Sequence, residues 1–576
     1  MNMSDLERLR HSTAHVMAQA VGDLYPGTRF GIGPAIEDGF YYDFDSPHTF
    51  TPEDLERIET RMREIIAEKR PFVREVVDNE GARESMAGQD YKLELIEELD
   101  KDEEICIYTN GSFVDLCRGP HVKDTGRLGH FKLTKLAGAY WRGDSDRPML
   151  QRIYGTAWKN KTQLEDHLTR LEEAEKRDHR KLGRELELFS FHEEAGSGLP
   201  LYLPKGARVM GLLKDWLRTE LYKRGYVEVL TPHMYKADVW KRSGHWDNYR
   251  ENMYIFEVND GDEKQPKINE YGIKPMNCPG HLMIYADNLH SYRDLPIRMF
   301  EFGTVYRHEL SGVVHGLMRA RGFTQDDAHI FCRGDQVADE VNAMLDLVDY
   351  IMNTFGFTYT AELSTRPEKA MGTDETWEFT TGVLKDTLDA RGIEYQINEG
   401  DGAFYGPKID IHLRDAIGRT WQLSTIQFDA LLPERFDLEY RTADNTVERP
   451  YMLHRAILGS MERFFGILIE HYAGAFPVWL APVQAMIIPI SDEQGDLAAA
   501  VASELQEAGI RAEVDESGER MGAKIAKATA QKVPYMLILG KREIENGVVS
   551  VRHRTDGDMG TMSLEEFAAL INSQKP

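Results

Sequence analysis

The chain has 576 residues, room for roughly three to five domains at about 100–200 residues each. A hydrophobic fraction of 41% and a charged fraction of 29% exclude a collagenous, low-complexity or wholly disordered chain. A net charge of −27 excludes a histone-like polycation that grips phosphate over its whole surface, but it leaves room for a local basic groove.

The opening stretch MNMSDLERLRHSTAH is charged and has no apolar run of the kind a secretory signal needs. Within it His11 and His15 are four residues apart, which on a helix puts both imidazoles on one face. Glu53–Lys69 carries Leu55, Ile58, Met62, Ile65 and Ile66 at amphipathic spacing, with Thr51 as N-cap ahead of Pro52. Residues 103–117 read as a strand, a turn at Asn110-Gly111 and a second strand. Residues 159–187 are highly charged with few apolar positions. Glu172/Lys176 and Glu173/Arg177 are i,i+4 pairs in the favourable order, so one solvated linker helix is expected. From 188 to 476 the chain has long strand-like runs with scattered Gly and Pro. Beyond 477, strands are expected at Met486–Ile490, Arg511–Asp515, Tyr535–Leu539 and Val548–Arg552. They alternate with helices at Leu497–Ala508, Ala523–Gln531 and Leu564–Ile571, the pattern of a small α/β domain. The most apolar stretch, Phe464–Ile469, is far short of the ~20 residues of a membrane span. Cys106, Cys117, Cys278 and Cys332 are too few and too scattered for a disulfide scaffold. A cytoplasmic protein without a membrane partner is expected.

Two constellations carry chemistry. HxxxH at His11 and His15, with CxxxH at Cys117 and His121, has the ligand types of a zinc site. A neutral histidine can equally position a water without an ion, and the spacing does not choose between the two. The second set is Cys278 in KPMNCPGH, His329 in DDAHIF and His454 in YMLHRAILGS, which only their neighbours connect. Around His329, Arg307 and Glu309 alternate along an expected strand, followed by Arg319, Phe323 and Gln325; Arg463 lies further on. Permanently charged guanidinium groups around an aromatic face suit a nucleotide. No G-x-x-x-x-G-K-[ST] is present, which counts against a Walker-type ATPase.

The motifs WKRSGHWDNY, KPMNCPGH, YRHELSG…RGFTQDDAHIF, AFYGPKIDI, WQLSTIQFD and LHRAILGSMERF occur in this order. With them the chain resembles the threonyl-tRNA synthetase family of class II aminoacyl-tRNA synthetases over essentially its whole length. The resemblance implies an α+β multidomain fold: an N-terminal α+β editing domain (1–158), a linker helix (159–187), an antiparallel-sheet class II catalytic core (188–476) and an α/β anticodon-binding domain (477–576). It implies ATP-dependent ligation of L-threonine to tRNA(Thr) through threonyl-adenylate, with hydrolysis of mischarged seryl-tRNA. Arg307, Glu309, Arg319, Phe323 and Arg463 would bind ATP with Mg²⁺. Gln325, Asp327, Tyr405 and Gln427 would line the threonine pocket, and Cys278, His329 and His454 would hold one Zn²⁺ per subunit. His245 would serve transfer to tRNA, beside Arg307 and Arg463 in catalysis. Pro232 falls in the motif that builds a homodimer interface. His11, His15, Lys92, Asp115, Cys117 and His121 would form the editing pocket, which the family operates without an obligatory metal. Glu543 and Arg552 would meet anticodon bases; Gly518 stands where family members often carry Asn. Members often begin with a ubiquitin-like domain, whereas HSTAH begins ten residues after Met1, so a short form without that domain is expected.

Two pockets on one chain have a physical logic. A site that demands a hydroxyl rejects valine by ~10⁴–10⁵, whereas serine lacks only a methyl, worth about 1–3 kcal/mol. Serine must then be removed after the fact. The alternatives are a synthetase-like threonine sensor or RNA binder without catalysis, a different class II synthetase, and a zinc hydrolase. The last lacks the HExxH glutamate, since Ser12 follows His11.

Overall fold

Ser4 starts the first helix, Asp5–Leu24. Its hydroxyl accepts from the Glu7 amide, and the Glu7 carboxylate accepts from the Ser4 amide. The computed structural model describes residues 3–100, 103–144, 146–262 and 265–576. The chain divides into two compact units, Met1–Glu172 and Glu173–Pro576.

In the first unit, Asp5–Leu24 buries Ala14, Met17, Ala18 and Val21 in a core shared with the antiparallel sheet Arg29–Phe30, Gly39–Asp45, Met149–Trp158, His130–Tyr140. The second helix runs Pro52–Ala67, as the spacing predicts, and buries Ile58, Met62 and Ile65 in the same core. Thr51 starts it: its amide and hydroxyl both donate to Asp54. A second sheet joins Val73–Val77, Ile105–Asn110 and Phe113–Leu116. Its hairpin turns one residue later than expected. Asn110 stays in the ladder opposite Phe113, and the turn falls on Gly111, at φ +61°, and Ser112.

The expected single linker helix is two helices. Lys161–Lys176 ends, and Asp178 caps His179–Glu185 by accepting from the Arg180 amide. The second of these is not solvated. His179 is fully buried, with Nδ1 donating to Glu470 at 2.7 Å and Nε2 accepting from the Leu317 amide at 3.0 Å. Leu182 and Leu186 enter the core beside it. The surrounding charge hides these anchors from a reading by composition.

The second unit is organised by an eight-stranded sheet in the order Val227–Glu228, Ile297–Tyr306, Gly322–Cys332, Tyr451–Ala456, Thr420–Asp429, Lys408–Arg414, Thr358–Ser364, Tyr395–Asn398. Its outermost pairs are parallel and the rest antiparallel. Helices Pro204–Lys223, Val337–Phe355 and Met461–His471 supply Leu213, Leu217, Val348, Phe464 and Leu468 to its core. Burying each such side chain contributes about 1.5–3 kcal/mol.

The C-terminal sheet runs Ala512–Val514, Ala485–Pro489, Tyr535–Leu539, Val549–His553, Gly557–Met562. Its first three strands are parallel and the last two antiparallel. The strand Gly557–Met562 lies outside the four strands expected in this segment. Arg554 ties this layer to the preceding segment by donating to the carbonyls of Ala475, Phe476 and Lys532. No helix among the described residues is long and apolar enough to cross a membrane.

Gly206 sits where the helix Pro204–Lys223 crosses the chain at Leu188, and a Cβ there would lie 1.9 Å from the Leu188 carbonyl oxygen. Gly206→Ala is expected to destabilise the second unit by about 1–3 kcal/mol, the usual cost of overpacking. Calorimetry should show its transition lowered while that of Met1–Glu172 stays in place.

Candidate functional site

Along the strand Gly322–Cys332 the side chains alternate between two faces. Thr324, Asp326 and Ala328 are buried toward the core. Phe323, Gln325, Asp327 and His329 point the other way, into a cavity of about 750 Å³ that all four line. Register brings the distant residues in. His329 pairs directly with His454, and His454 with Gln427 on its other side. Cys278 opens the helix Cys278–Ala286, and one donor atom from each of Cys278, His329 and His454 lies within 4.8 Å of the other two.

These three residues fit a metal ion. His329 Nδ1 is engaged by His281 at 2.8 Å and His454 Nε2 by Asp429 at 2.9 Å, so each ring keeps one nitrogen free. Burial pushes the Cys278 thiol up and holds His329 well below the ordinary imidazole range. Two imidazole nitrogens and a thiol that a cation would deprotonate have the ligand types to hold a metal ion. Beside it, Asn277 donates to Asp327 at 2.9 Å, Tyr405 donates to Gln427 at 2.6 Å, and the Tyr405 ring stacks on His454. Burial raises the Asp327 carboxyl.

The far end of the same cavity is cationic. Arg307, Arg319 and Arg463 line it with Glu309 and Phe323. Arg307 lies 5.1 Å from the Phe323 ring centre and donates to the Pro275 carbonyl. Arg463 donates to the carbonyls of Met318 and Gln422. Burial, then repulsion from Arg319 and Arg307, lowers its pKa, the signature of a pocket shaped for an anion. Arg463 is aimed from the core side of the strand: Thr324 donates its amide to Glu462, and Ser460 caps the helix by accepting from the Arg463 amide. Asp326, paired with Arg455, accepts from the amides of Ile457 and Leu458.

The first unit holds a separate pocket. His11 Nδ1 donates to the Gly33 carbonyl, leaving its Nε2 lone pair 2.9 Å from Cys117 Sγ. Ser12 donates to the Arg8 carbonyl and accepts from the Val122 amide, so His121 Nδ1 donates to it. The His121 Nε2 lone pair then faces Cys117 at 3.4 Å. Asp115 is buried between Lys92 at 2.7 Å, the Tyr42 hydroxyl at 2.6 Å and His15 at 3.6 Å. Burial lowers all three histidines and pushes Cys117 up to about 12. All six expected residues meet here. His11, His15, Cys117 and His121 also have the donor types and spacing to hold a metal ion.

Comparisons with known proteins agree with this geometry. Residues 254–472 match the tRNA synthetase class II core domain of the G, H, P, S and T enzymes. Residues 484–574 match an anticodon binding domain, and 105–154 the second additional domain of threonyl and alanyl tRNA synthetases. A threonine–tRNA ligase of Syntrophomonas wolfei is 55% identical over 98% of this chain and 88% of its own. One from Clostridium botulinum strain Loch Maree is 54% identical with the same coverage. The chain belongs to the threonine–tRNA ligase family. Among solved structures, the RNA binding domain of a Cryptosporidium parvum threonyl-tRNA synthetase is similar at 42% identity and a TM-score of 0.66, over 69% of this chain and 98% of that one. A putative Aeropyrum pernix threonyl-tRNA synthetase is similar at 30% identity and 0.60, over 69% and 95%.

Not every residue expected from the ligase family sits as the sequence suggests. Arg307 and Glu309 are not on a strand, because Ile297–Tyr306 ends one residue earlier. Glu309 instead accepts from Arg319 at 2.9 Å. His245 is fully buried rather than lining the cavity. Its Nδ1 meets the Ser243 hydroxyl and its Nε2 faces Met276 Sδ at 3.0 Å, and burial lowers its pKa to about 3. Glu543 accepts from the Gly540 amide and so caps its own short helix, while Arg552 is exposed on Val549–His553. Gly518 is exposed with open space where a Cβ would stand. Sequence reasoning missed Tyr42, Ser12 and Gly33 in the first pocket, and Asn277 and Asp429 at the second. Asn277 inside KPMNCPGH, Asp429 closing WQLSTIQFD and Ser12 inside HSTAH could have been marked; Tyr42 and Gly33 carry no motif.

The neutral histidines of the first pocket set a pH dependence. His11, His15 and His121 have folded pKa values below the ordinary ~6.5, so in acid the unfolded chain binds more protons. Stability contributed by these groups is present above about pH 6.5 and is lost as pH falls. Calorimetry at pH 7.5 and 5.5 should show the transition of Met1–Glu172 lowered at the acid pH, and less so in His11→Asn with His121→Asn.

Proposed function

We propose that this chain joins L-threonine to tRNA(Thr) at the expense of ATP and hydrolyses seryl-tRNA in a second pocket. The observation that carries the reading is the single cavity where Arg307, Arg319, Arg463 and Phe323 stand at one end and Cys278, His329 and His454 at the other. In this reading residues 188–476 catalyse, 1–158 edit, 159–187 link and 477–576 bind the anticodon. A cytoplasmic enzyme is the setting we infer.

Phe323 stacks on the adenine and Glu309 takes its amino group, while Arg319 and Arg463 hold the outer phosphates with Mg²⁺. Arg307 meets both the α-phosphate and the threonine carboxylate. Asp327, steadied by Asn277, accepts a hydrogen bond from the neutral α-amino group, and Gln325, Tyr405 and Gln427 close round the side chain. Cys278, His329 and His454 would hold zinc, which would supply a Lewis acid for the amino and hydroxyl groups of threonine. The carboxylate oxygen attacks the α-phosphorus, the bond to the bridging oxygen breaks, and pyrophosphate leaves with the electron pair. Positioning and fixed positive charge supply most of the rate. A terminal ribose hydroxyl of tRNA then attacks the activated carbonyl, the acyl–phosphate C–O bond breaks, and AMP departs with its phosphate taking up the hydroxyl proton. His245 acts in that transfer by steadying the Met276–Cys278 segment.

In the first pocket the lone pairs of His11 and His121 orient a water toward the seryl ester. Its oxygen adds to the carbonyl, a histidine nitrogen takes the proton, and the ribose hydroxyl leaves protonated. Lys92, held by Asp115, supplies positive charge to the oxyanion. Glu543 and Arg552 are proposed to face the anticodon. A homodimer is proposed through the segment around Pro232, where Tyr222, Val227, Leu230 and Met234 are exposed apolar side chains and Leu230 is 82% exposed.

Threonine-dependent pyrophosphate exchange tests the first site. A zinc-loaded chain without exchange would favour the synthetase-like sensor or RNA binder. His454→Ala is expected to lose zinc and exchange but keep deacylation of seryl-tRNA; wild-type exchange without metal would overturn the zinc assignment. His11→Ala with His15→Ala should leave exchange intact and slow seryl-tRNA hydrolysis by about 10²–10⁴-fold, the usual worth of a positioned base. Unchanged hydrolysis would remove residues 1–158 from editing.

A further inference from the structure

Behind the proposed metal ligands lies a polar cluster that the reaction does not use. Lys274, His281 and Glu301 are almost wholly buried, and none of them lines the cavity. Burying an amine, an imidazole and a carboxylate is costly, and apolar residues of the same size would pack there at less expense.

The contacts give the cluster a direction. His281 lies three residues after Cys278 on the same helix, and its Nδ1 is 2.8 Å from His329 Nδ1. Two nitrogens at that distance share one proton. His281 Nε2 has no hydrogen-bond partner, and the Glu301 carboxylate stands 3.4 Å from it. Glu301 is the register partner of Asp327, two residues along the strand from His329. It is held on its other side by the Thr231 hydroxyl at 2.8 Å, the Thr231 amide at 3.2 Å and Lys274 at 3.4 Å. Lys274 also donates to the Thr231 hydroxyl at 2.9 Å.

We propose that His281 and Glu301 are positioning residues that fix the tautomer and the ring orientation of the metal ligand His329. A carboxylate can only accept, so Glu301 draws the proton of His281 to Nε2. His281 Nδ1 is then a bare lone pair, and the shared proton belongs to His329 Nδ1. The lone pair of His329 is thereby confined to Nε2, the nitrogen not engaged by His281. Lys274 and Thr231 hold Glu301 in the geometry this requires. Asp429 does the same for His454 in one step. Partners of this kind are typically worth about 10–100-fold in metal affinity.

The proposal rests on the zinc reading above, and the experiment separates the two. The full-length chain is loaded with zinc, and release to a chelating dye is followed together with the KM for threonine and for ATP. His281→Leu removes the acceptor and is expected to release zinc about 10–100-fold faster and to raise the threonine KM at unchanged ATP KM. His281→Gln should restore most of the retention, because its amide oxygen can accept from His329 while its amide nitrogen donates to Glu301. Glu301→Gln, nearly isosteric, should shift release in the same direction and covers the case in which His281→Leu does not fold. A folded His281→Leu or Glu301→Gln chain that keeps zinc as long as the parent would overturn the positioning role alone. A parent chain that takes up no zinc would overturn the metal reading and this role with it.

Discussion

The antiparallel register of Gly322–Cys332 against Tyr451–Ala456 is the constraint on which the site depends. It sets His329 opposite His454, residues 125 positions apart in the sequence. The same register sets Gln427 beside His454 on the next strand. Hydrogen bonds between backbones, rather than any affinity between the side chains, bring the donors within reach of one cation. The period of two then spaces the rest: an aromatic face, an amide, a carboxylate and an imidazole follow one another along one side of a single strand. Cys278, Tyr405, Glu309 and the arginines arrive from outside the sheet, on helix, turn and loop.

The other side of that strand explains how a cationic cavity survives in a chain of net charge −27. Asp326 is buried with its pKa raised to about 6 by that burial, although Arg455 opposes the shift. Glu462 is likewise raised to about 7 by burial. Both spend their oxygens on backbone amides of the neighbouring segment, so they fix geometry without projecting charge into the cavity. Arg307, Arg319 and Arg463 are therefore weakly neutralised; of these three, only Arg319 has a carboxylate partner among the described residues, Glu309. Local charge follows the strand's two faces rather than the composition of the chain.

Much of this was legible in the sequence, for identifiable reasons. Regular spacing gave the helix Pro52–Ala67 and, beyond 477, four strands and three helices to within one or two residues, but not Lys541–Glu545 or Gly557–Met562. The pockets were legible only through motif order, since nothing in the spacing of Cys278, His329 and His454 announces a cross-strand meeting. Buried anchors escaped. His179 sits in a run so charged that its neighbours read as solvated, yet it is fully buried against Glu470. His281 and Glu301 escaped for the opposite reason: they touch no substrate, and a buried ion cluster leaves no periodic trace. Arg307 and Glu309 were misread as strand because alternation continues past Tyr306 while the backbone ladder stops there.

The two pockets solve one chemical problem in different scaffolds. In the first, carbonyls and a hydroxyl around a helix set the histidine tautomers; in the second, neighbouring side chains across a sheet do so. The sheet solution has a consequence for how such a chain can change over time. Substitutions in Gly322–Cys332 act one at a time, on one face or the other. Insertion or loss of a single residue before His329 would exchange the faces, turning Phe323, Gln325 and Asp327 into the core and Asp326 into the cavity. Length variation in this lineage should therefore collect in segments outside the strand, such as the turn between Lys408–Arg414 and Thr420–Asp429, while the strand itself keeps its count.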